Sequence, residues 1–175
     1  MQTRSDEDIM MAVAQGELQL MAELFERYHK RIYNFLLQMV GDRAVCEDLT
    51  QNVFYKAIKY KHSYRGGKFV SWIFRIARNN LADHFEKQKR LNQNIDVEAL
   101  GERPESVQAP NEEVAHLYQV MERLDVAEKE LIIMHRLQGI SYEDIAEMTG
   151  STAGAVKVKA HRVVKKLRKI YFESA

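Results

Sequence analysis

The scarcity of helix-breaking residues is the strongest constraint on this chain. Only two prolines and eight glycines occur among 175 residues. The long stretches between them are rich in Leu, Met, Ala, Glu, Lys, Arg and Gln, which are good helix formers. Within those stretches, apolar residues recur every three or four positions, as they do on the buried face of a helix. The sequence therefore predicts an all-α protein.

The same periodicity predicts two groups of helices separated by a linker. In the first group we predict helices at residues 6–15, 18–40, 44–61 and 70–90. In the second group we predict helices at residues 112–124 and 127–137, followed by a helix-turn-helix. Between the groups the periodicity fails, polar residues accumulate, and both prolines occur (Pro104 and Pro110). We therefore predict two small helical domains, 1–92 and 112–175, joined by a flexible linker, 93–111.

The net charge of +1 conceals a strong segregation of charge. Residues 55–90 contain ten basic and two acidic residues, and residues 157–169 contain seven basic and none acidic. The segment between them, 91–131, contains three basic and ten acidic residues. Two basic blocks with an acidic spacer favour two surfaces for a polyanion. The alternative is that these blocks are ordinary solvated helix faces.

Composition also indicates the cellular compartment in which the protein is found. No apolar run is long enough to span a membrane, and the polar, acidic N-terminus is unlike a signal peptide. The single cysteine, Cys46, cannot form an internal disulfide, which is compatible with a reducing compartment. These features predict a cytoplasmic protein that is not inserted in a membrane.

The sharpest local signal is a helix-turn-helix at residues 141–170. Ser141 is placed to cap a short helix with Asp144 three residues later, Gly150 suits a sharp turn, and Thr152 is placed to cap the second helix. One side of that second helix is apolar and the rest is basic. Its N-terminal part is expected in the major groove and its later lysines on phosphates. The candidate DNA-contacting residues are Thr152, Gly154, Ala155, Lys157, Val158, Lys159, His161, Arg162, Lys165 and Lys166. A helical hairpin with a basic face is the alternative.

Three motifs occur in the order and spacing of a known family. CEDLTQNVF at 46–54 resembles the AEDLTQEVF signature of extracytoplasmic-function (ECF) sigma factors, within the sigma-70 family. FVSWIFRIARNNLAD at 69–83 resembles their F-x-x-W-L-x-R-I-A-x-N-x-x-x-D stretch. GISYEDIAEM at 139–148, with GAVK at 154–157, resembles their G-x-S-Y-x-E-I-A and G-T-V-K pattern. The matches extend over nearly the whole chain, from about residue 5 to residue 169.

The resemblance implies a bacterial transcription-initiation factor without chemistry or cofactor of its own. It implies that residues 1–92 correspond to sigma region 2, which binds core RNA polymerase and opens the −10 element. It implies that residues 112–175 correspond to region 4, which reads the −35 element. The implied partners are core polymerase, through its β′ coiled coil and β flap, promoter DNA and an anti-sigma factor.

The resemblance also assigns residues to two surfaces of the first domain. The surface implied to dock on the β′ coiled coil comprises Glu47, Asp48, Gln51, Asn52 and Tyr55. The surface implied to read the −10 element comprises Tyr64, Arg65, Lys68, Arg78, Asn79, Asn80, Asp83 and Lys87. Aromatic rings can stack on unpaired bases, and basic side chains can follow phosphates. We expect Trp72 in the core rather than as a melting wedge, and Phe69 and Phe74 remain undecided.

Several positions depart from the family pattern. Cys46 replaces Ala, Asn52 replaces an acidic residue in the polymerase-facing stretch, and Ser151 replaces an apolar residue of the turn. In the recognition helix Ala155 replaces Thr and Lys159 replaces Arg. Because Lys does not form the planar bidentate contact of Arg with guanine, these changes leave the −35 sequence open.

Three other classes of function compete with this interpretation. A stand-alone helix-turn-helix regulator would bind a duplex operator without polymerase. An enzyme finds little support, because the six histidines are scattered and no metal-ligand spacing, phosphate-binding loop or nucleophile motif occurs. The scattered histidines are His29, His62, His84, His116, His135 and His161. A pure protein-interaction module is a third alternative.

Overall fold

The computed structural model describes residues 2–92 and 109–174, and the regular structure within those ranges is helical throughout. The chain divides into two compact units, Met1–Glu105 and Ser106–Ala175. The prediction of an all-α protein with two helical parts is therefore confirmed. Most of the predicted linker, residues 93–108, lies outside the described residues, and its boundaries stay predictions.

Residues 2–92, the described part of the first unit, contain four helices and two single turns of 3₁₀ helix. The helices are α1 (Asp6–Ala14), α2 (Met21–Val40), α3 (Arg43–Lys59) and α4 (Phe69–Asn92). The 3₁₀ turns, Leu18–Leu20 and Lys61–Ser63, precede α2 and follow α3. All four helices were expected from the apolar periodicity, with ends within three residues of those observed.

Local capping sets the tight turn between α2 and α3. Gly41 ends α2 with φ +77°, a conformation that glycine adopts without steric cost. Asp42 follows at once and accepts a hydrogen bond from the Val45 N–H at 3.1 Å, which starts α3. The two helices therefore reverse direction within two residues, and α2 packs against both α3 and α4.

Aromatic rings form much of the core of the first unit. Phe35 of α2 and Phe74 of α4 meet edge-to-face with their centroids 5.5 Å apart. Phe69 packs against Tyr28 in the same way at 5.0 Å. Since Phe69 and Phe74 are fully buried, the structure assigns both undecided rings to the core.

In the second unit, the described residues 109–174 contain four helices and one π-helical turn. The helices are α5 (Glu112–Met121), α6 (Val126–Ile132), α7 (Tyr142–Thr149) and α8 (Ala153–Glu173), and the π-helical turn, Ile133–Leu137, continues α6. Helix α8 packs against α5, α6 and α7. Val156, Ala160 and Val163 of α8 are buried, as its apolar stripe predicted.

The first of these helices is shorter than expected. Helix α5 ends at Met121 rather than at residue 124, because the N–H groups of residues 122–124 bond to carbonyls three residues back, in a tighter turn that leads to the capping box of α6. In that box Asp125 accepts a hydrogen bond from the Glu128 N–H at 2.8 Å, and Glu128 accepts one from the Asp125 N–H at 3.1 Å. Within residues 2–92 and 109–174, no helix combines the length and apolarity needed to cross a bilayer.

Candidate nucleic-acid and protein interfaces

Helices α7 and α8 form the expected helix-turn-helix. The Ser141 hydroxyl accepts a hydrogen bond from the Asp144 N–H at 3.1 Å and caps α7. Gly150 ends α7 with φ +67°. The Thr152 hydroxyl then accepts one from the Ala155 N–H at 3.1 Å and caps α8. Each local element of the predicted motif is present at the predicted residue, so the N-terminal end of α8 is exposed beyond a two-residue turn.

The outer face of α8 carries nearly all of the predicted −35 contacts. Thr152, Ala155, Lys157, Lys159, His161, Arg162 and Lys165 are exposed, as are Gly154 and Val158. The basic residues of this set form a continuous cationic surface along the helix, of the kind that attracts DNA phosphates. Their contact with DNA stays a prediction.

Lys166 differs from its neighbours on α8. Its Nζ lies 3.0 Å from Oε1 and 3.4 Å from Oε2 of Glu128, the residue that closes the capping box of α6. The Glu128 side chain is only 15% exposed, whereas that of Lys166 is 48% exposed. The charge of Lys166 is thus already paired within the second unit, and its contact with a DNA phosphate stays a prediction.

The predicted polymerase-binding residues share one exposed strip of α3. Glu47, Asp48, Gln51, Asn52 and Tyr55 are all exposed, and Tyr55 is 62% exposed. Cys46, Thr50, Val53 and Phe54 on the other side of α3 are buried. The strip is acidic, amide-rich and aromatic, and it is open to a protein partner.

The predicted −10 residues divide into exposed and buried groups. Arg65 and Lys68 of the loop are exposed, as are Asn79, Asp83 and Lys87 of α4, and Arg78 is half-buried. Tyr64 and Asn80, by contrast, are only 4% and 3% exposed. Little of either side chain is therefore open to a partner in this conformation, and their roles as direct contacts to an open strand stay predictions.

Tyr64 belongs to an aromatic cluster beneath the loop. Its ring lies edge-to-face with Trp72 at 5.5 Å, and Trp72 also packs against Phe69. The Tyr64 hydroxyl donates a hydrogen bond to the Gly67 carbonyl at 2.5 Å. Burial, followed by the charge of Glu7, raises the pKa of Tyr64 to about 12. Tyr64 thus shapes the loop from inside, and Trp72 is a half-buried member of the same cluster.

Asn80 connects α4 to α3 through three hydrogen bonds. It accepts one from Lys56 Nζ, donates one to Asn52 Oδ1 at 3.0 Å, and donates a longer one to the Leu49 carbonyl at 3.5 Å. Lys56 also lies 3.9 Å from Asp83. A buried amide with all its partners on one neighbouring helix fixes the spacing of the two helices.

These residues line a groove of about 380 Å³ between α3 and α4. The groove brings Asp48 and Asn52, assigned to polymerase, next to Asp83 and Lys87, assigned to the −10 element. Sequence reasoning separated these residues into two surfaces, whereas the fold places them on one continuous rim.

Sequence reasoning also missed two side chains of the groove, Lys56 and His84. Lys56 could have been found from helical spacing, because it follows Asn52 by four residues. Burial lowers the pKa of His84, with Asp42 opposing that shift and Lys87 adding to it. In the described ranges, no cluster of three or more His, Cys, Asp or Glu side chains is arranged to hold a metal ion.

Two family descriptions match the two units in turn. Sigma-70 region 2 matches residues 24–91, and Sigma-70, region 4 matches residues 116–167. Each contains the surfaces described above for its unit. Together the two matches extend over most of the chain.

Curated relatives match along most of the chain. The chain is 30% identical over 156 residues to the ECF RNA polymerase sigma factor SigX of Bacillus subtilis, with 83% of this chain and 80% of SigX covered. It is 29% identical to RNA polymerase sigma factor CarQ of Myxococcus xanthus, with 86% and 88% covered. It is also 29% identical to the ECF RNA polymerase sigma factor BldN of Streptomyces coelicolor, where 91% of this chain spans 63% of BldN.

Solved structures agree in fold. The sigma factor RpoE of Bartonella quintana, crystallised with the anti-sigma factor NepR, is 22% identical with a TM-score of 0.73, covering 86% of this chain and 95% of RpoE. CnrH, solved in complex with the cytosolic domain of CnrY, is 19% identical with a TM-score of 0.70, covering 97% and 99%. With both sigma-70 regions matched in order and SigX at 30% identity, this chain belongs to the ECF sigma factors of the sigma-70 family.

Proposed function

We propose that this protein binds core RNA polymerase and directs it to specific promoters as an ECF sigma factor. The observation that carries the proposal is the presence of one exposed cationic surface in each unit, each inside the matching sigma-70 region. A polymerase subunit that presents two such surfaces contacts a promoter at two points. Binding at the second point is then effectively intramolecular, which strengthens the whole complex. The proposal places this activity in the cytoplasm with the polymerase, and no catalytic step is assigned to the chain.

The α3 strip is the proposed docking surface for the β′ coiled coil. Tyr55 supports this assignment because its ring is exposed within the strip, and aromatic side chains are favoured at protein interfaces. The flanking carboxylates of Glu47 and Asp48 supply charge for orienting a basic partner. Region 4 is proposed to dock on the β flap.

The exposed loop and α4 residues are the proposed reader of the opened −10 strand. Arg65, Lys68 and Lys87 supply cationic contacts for phosphates, and Asn79 and Asp83 supply polar groups for base edges. Holding an unpaired base requires a preformed site, since unstacking it costs a few kcal/mol. The aromatic cluster under the loop supports that role by limiting its motion.

The outer face of α8 is the proposed reader of the −35 duplex. Its first turns, from Thr152 to Arg162, are expected to meet base edges, and Lys165 to contact the phosphate backbone. Because Lys166 is paired with Glu128, its proposed phosphate contact is expected to contribute less than that of Lys165. The stand-alone regulator is not favoured, since it leaves the region 2 match and the α3 strip without a role.

Control by an anti-sigma factor is also proposed. Two proteins of this fold, RpoE and CnrH, have been solved with NepR and CnrY respectively. The supporting feature in this chain is the pair of exposed surfaces that an inhibitor would have to cover. Purification of the tagged protein from resting host cells tests this: an inhibitor should copurify in place of polymerase. Recovery of polymerase alone would contradict it.

The central test is transcription with purified components. Core enzyme plus this protein should yield discrete transcript starts on fragmented host DNA, whereas neither component alone should do so. Mapping the starts gives both promoter elements. Specific duplex binding by the free protein, with no effect on core enzyme, would favour the regulator instead.

A matched pair of tyrosines tests the docking surface. Tyr55→Ala should weaken binding to core polymerase by about tenfold, as expected for an aromatic anchor. Tyr60→Ala should leave that affinity unchanged, because Tyr60 is also exposed but lies outside the strip. Equal effects of the two substitutions would argue against the proposed surface.

A further inference from the structure

The loop that precedes α4 is closed by contacts at both ends. Tyr64 donates its hydroxyl hydrogen bond to the Gly67 carbonyl at 2.5 Å, and Gly66 between them has φ +92°. The Lys68 carbonyl accepts the Trp72 N–H at 3.2 Å and so begins α4. Arg65 and Lys68 are exposed on the outside of this loop.

The first turn of α4 is capped from a distant part of the chain. The N–H of Phe69 is one of the donors that a helix leaves unpaired at its start, and Lys68 before it has no side-chain acceptor. The missing acceptor is Glu7 of α1, whose Oε1 accepts the Phe69 N–H at 3.1 Å across 62 residues of sequence. A carboxylate in this position is favoured also by the positive end of the helix dipole.

Helix α1 is itself firmly attached to the first unit. Ile9, Met10 and Val13 are fully buried. Arg27 of α2 forms an ion pair of 2.7 Å with Asp6, and the Tyr28 hydroxyl donates a hydrogen bond to the same carboxylate. Glu7 is half-buried beside this anchor. It therefore acts from a fixed support rather than from a free N-terminal segment.

We propose that Glu7 is a positioning residue for promoter opening, which holds the loop Tyr64–Lys68 in the conformation that captures the opened −10 strand. The inference rests on the proposed function of that loop and adds an element from outside the residues that touch DNA. Without the Glu7 carboxylate, the first turn of α4 frays and the loop loses its fixed end. Capture of the strand then has to include the cost of ordering the loop.

Three variants of the full-length protein separate the hydrogen bond from the charge. Glu7→Ala removes both. Glu7→Gln keeps an acceptor oxygen and removes the charge. Asp8→Asn removes a neighbouring charge on α1 while leaving the Phe69 hydrogen bond in place, because Asp8 is exposed. Each variant is assembled with core polymerase and tested against a labelled single-stranded oligonucleotide of a mapped −10 element.

Glu7→Ala should weaken capture of that oligonucleotide by about fivefold, the usual size of a lost helix cap. Its affinity for core polymerase and for a −35 duplex should stay at the wild-type level. Glu7→Gln should recover to within about twofold, and Asp8→Asn should match wild type. A loss confined to the single-stranded probe is the signature of positioning, which general destabilisation would not produce.

Two results would overturn the inference. One is unchanged capture of the oligonucleotide by Glu7→Ala. The other is a parallel loss of all three affinities that Glu7→Gln does not recover, which would make Glu7 a general stabilising residue. Failure of the wild-type protein to bind core polymerase would instead refute the proposed function.

Discussion

Charge reversal at two adjacent lysines of α8, Lys165 and Lys166, distinguishes an effect on stability from an effect on DNA affinity. Both side chains lie on the basic face of α8, one residue apart. Lys166 pairs with Glu128 at 3.0 Å, whereas Lys165 is exposed and has no ion pair within the described part of the chain. Lys166→Glu should therefore destabilise the second unit, and Lys165→Glu should not.

The magnitude follows from the burial of the pair. Exposed ion pairs contribute about 0.2–1 kcal/mol, and the 15% exposure of Glu128 places this pair near the top of that range. Replacing attraction by repulsion should cost about 1 kcal/mol or somewhat more. For a helical unit of this size, about 1 kcal/mol corresponds to a fall in melting temperature of about 4–8 °C. Calorimetry of the 175-residue chain measures this fall in melting temperature.

DNA binding, unlike stability, should be affected more by Lys165→Glu than by Lys166→Glu. Lys165→Glu removes one phosphate contact, which should reduce the slope of log K against log salt by about 0.9 on a −35 duplex. Because Lys166 is already neutralised by Glu128, its reversal should change that slope less. Holoenzyme titrated with labelled duplex between low and moderate salt gives both slopes.

A second substitution provides the control. Glu128→Gln keeps an oxygen that can accept the Asp125 N–H of the capping box but removes the charge. In the Lys166→Glu background it should restore most of the lost stability by ending the repulsion, without restoring DNA affinity. The reasoning is refuted if Lys165→Glu and Lys166→Glu destabilise equally, or if Glu128→Gln has no effect in that background.

Two further predictions concern the first unit. Asn80→Ala should lower the free energy of unfolding by about 1–3 kcal/mol in urea titrations, because it leaves Lys56 and Asn52 without their buried partner; a loss below about 0.5 kcal/mol would show that the hydrogen bonds do not form in solution. Burial raises the pKa of both Tyr28 and Tyr64 to about 12 from an ordinary value of 10. The native state therefore holds these protons more tightly than the unfolded state, so stability should fall as pH rises from 10 to 12. Tyr64→Phe should flatten that fall, and an unchanged pH profile would contradict the assignment.

The helices and their caps could be predicted from sequence because each depends on residues within one or two turns. The Ser141 and Thr152 caps, the Gly150 turn and the buried stripe of α8 all lie where the pattern placed them. The exposed strip of α3 followed for the same reason, since helical spacing fixes which residues share a face.

Contacts between distant segments could not be predicted in this way. Tyr64 and Asn80 have the composition of a DNA-reading surface, yet neighbouring helices bury both. In the sequence, nothing distinguishes Lys166 from the other lysines of α8. Only the packing of α6 against α8 places Glu128 beside it. Periodicity describes one helix at a time and contains no information on which partner will neutralise a charge or accept a hydrogen bond.

The sequence alone determined the helical class of this protein, the ends of most helices and the basic character of its two surfaces. Only the tertiary structure decided which polar side chains remain available to a partner. It did so through hydrogen bonds and ion pairs across 24 to 62 residues of sequence, as with Lys56 and Asn80, Glu128 and Lys166, and Glu7 and Phe69. Such pairs form only when packed helices bring the groups within about 3 Å, and packing is a property of the whole unit.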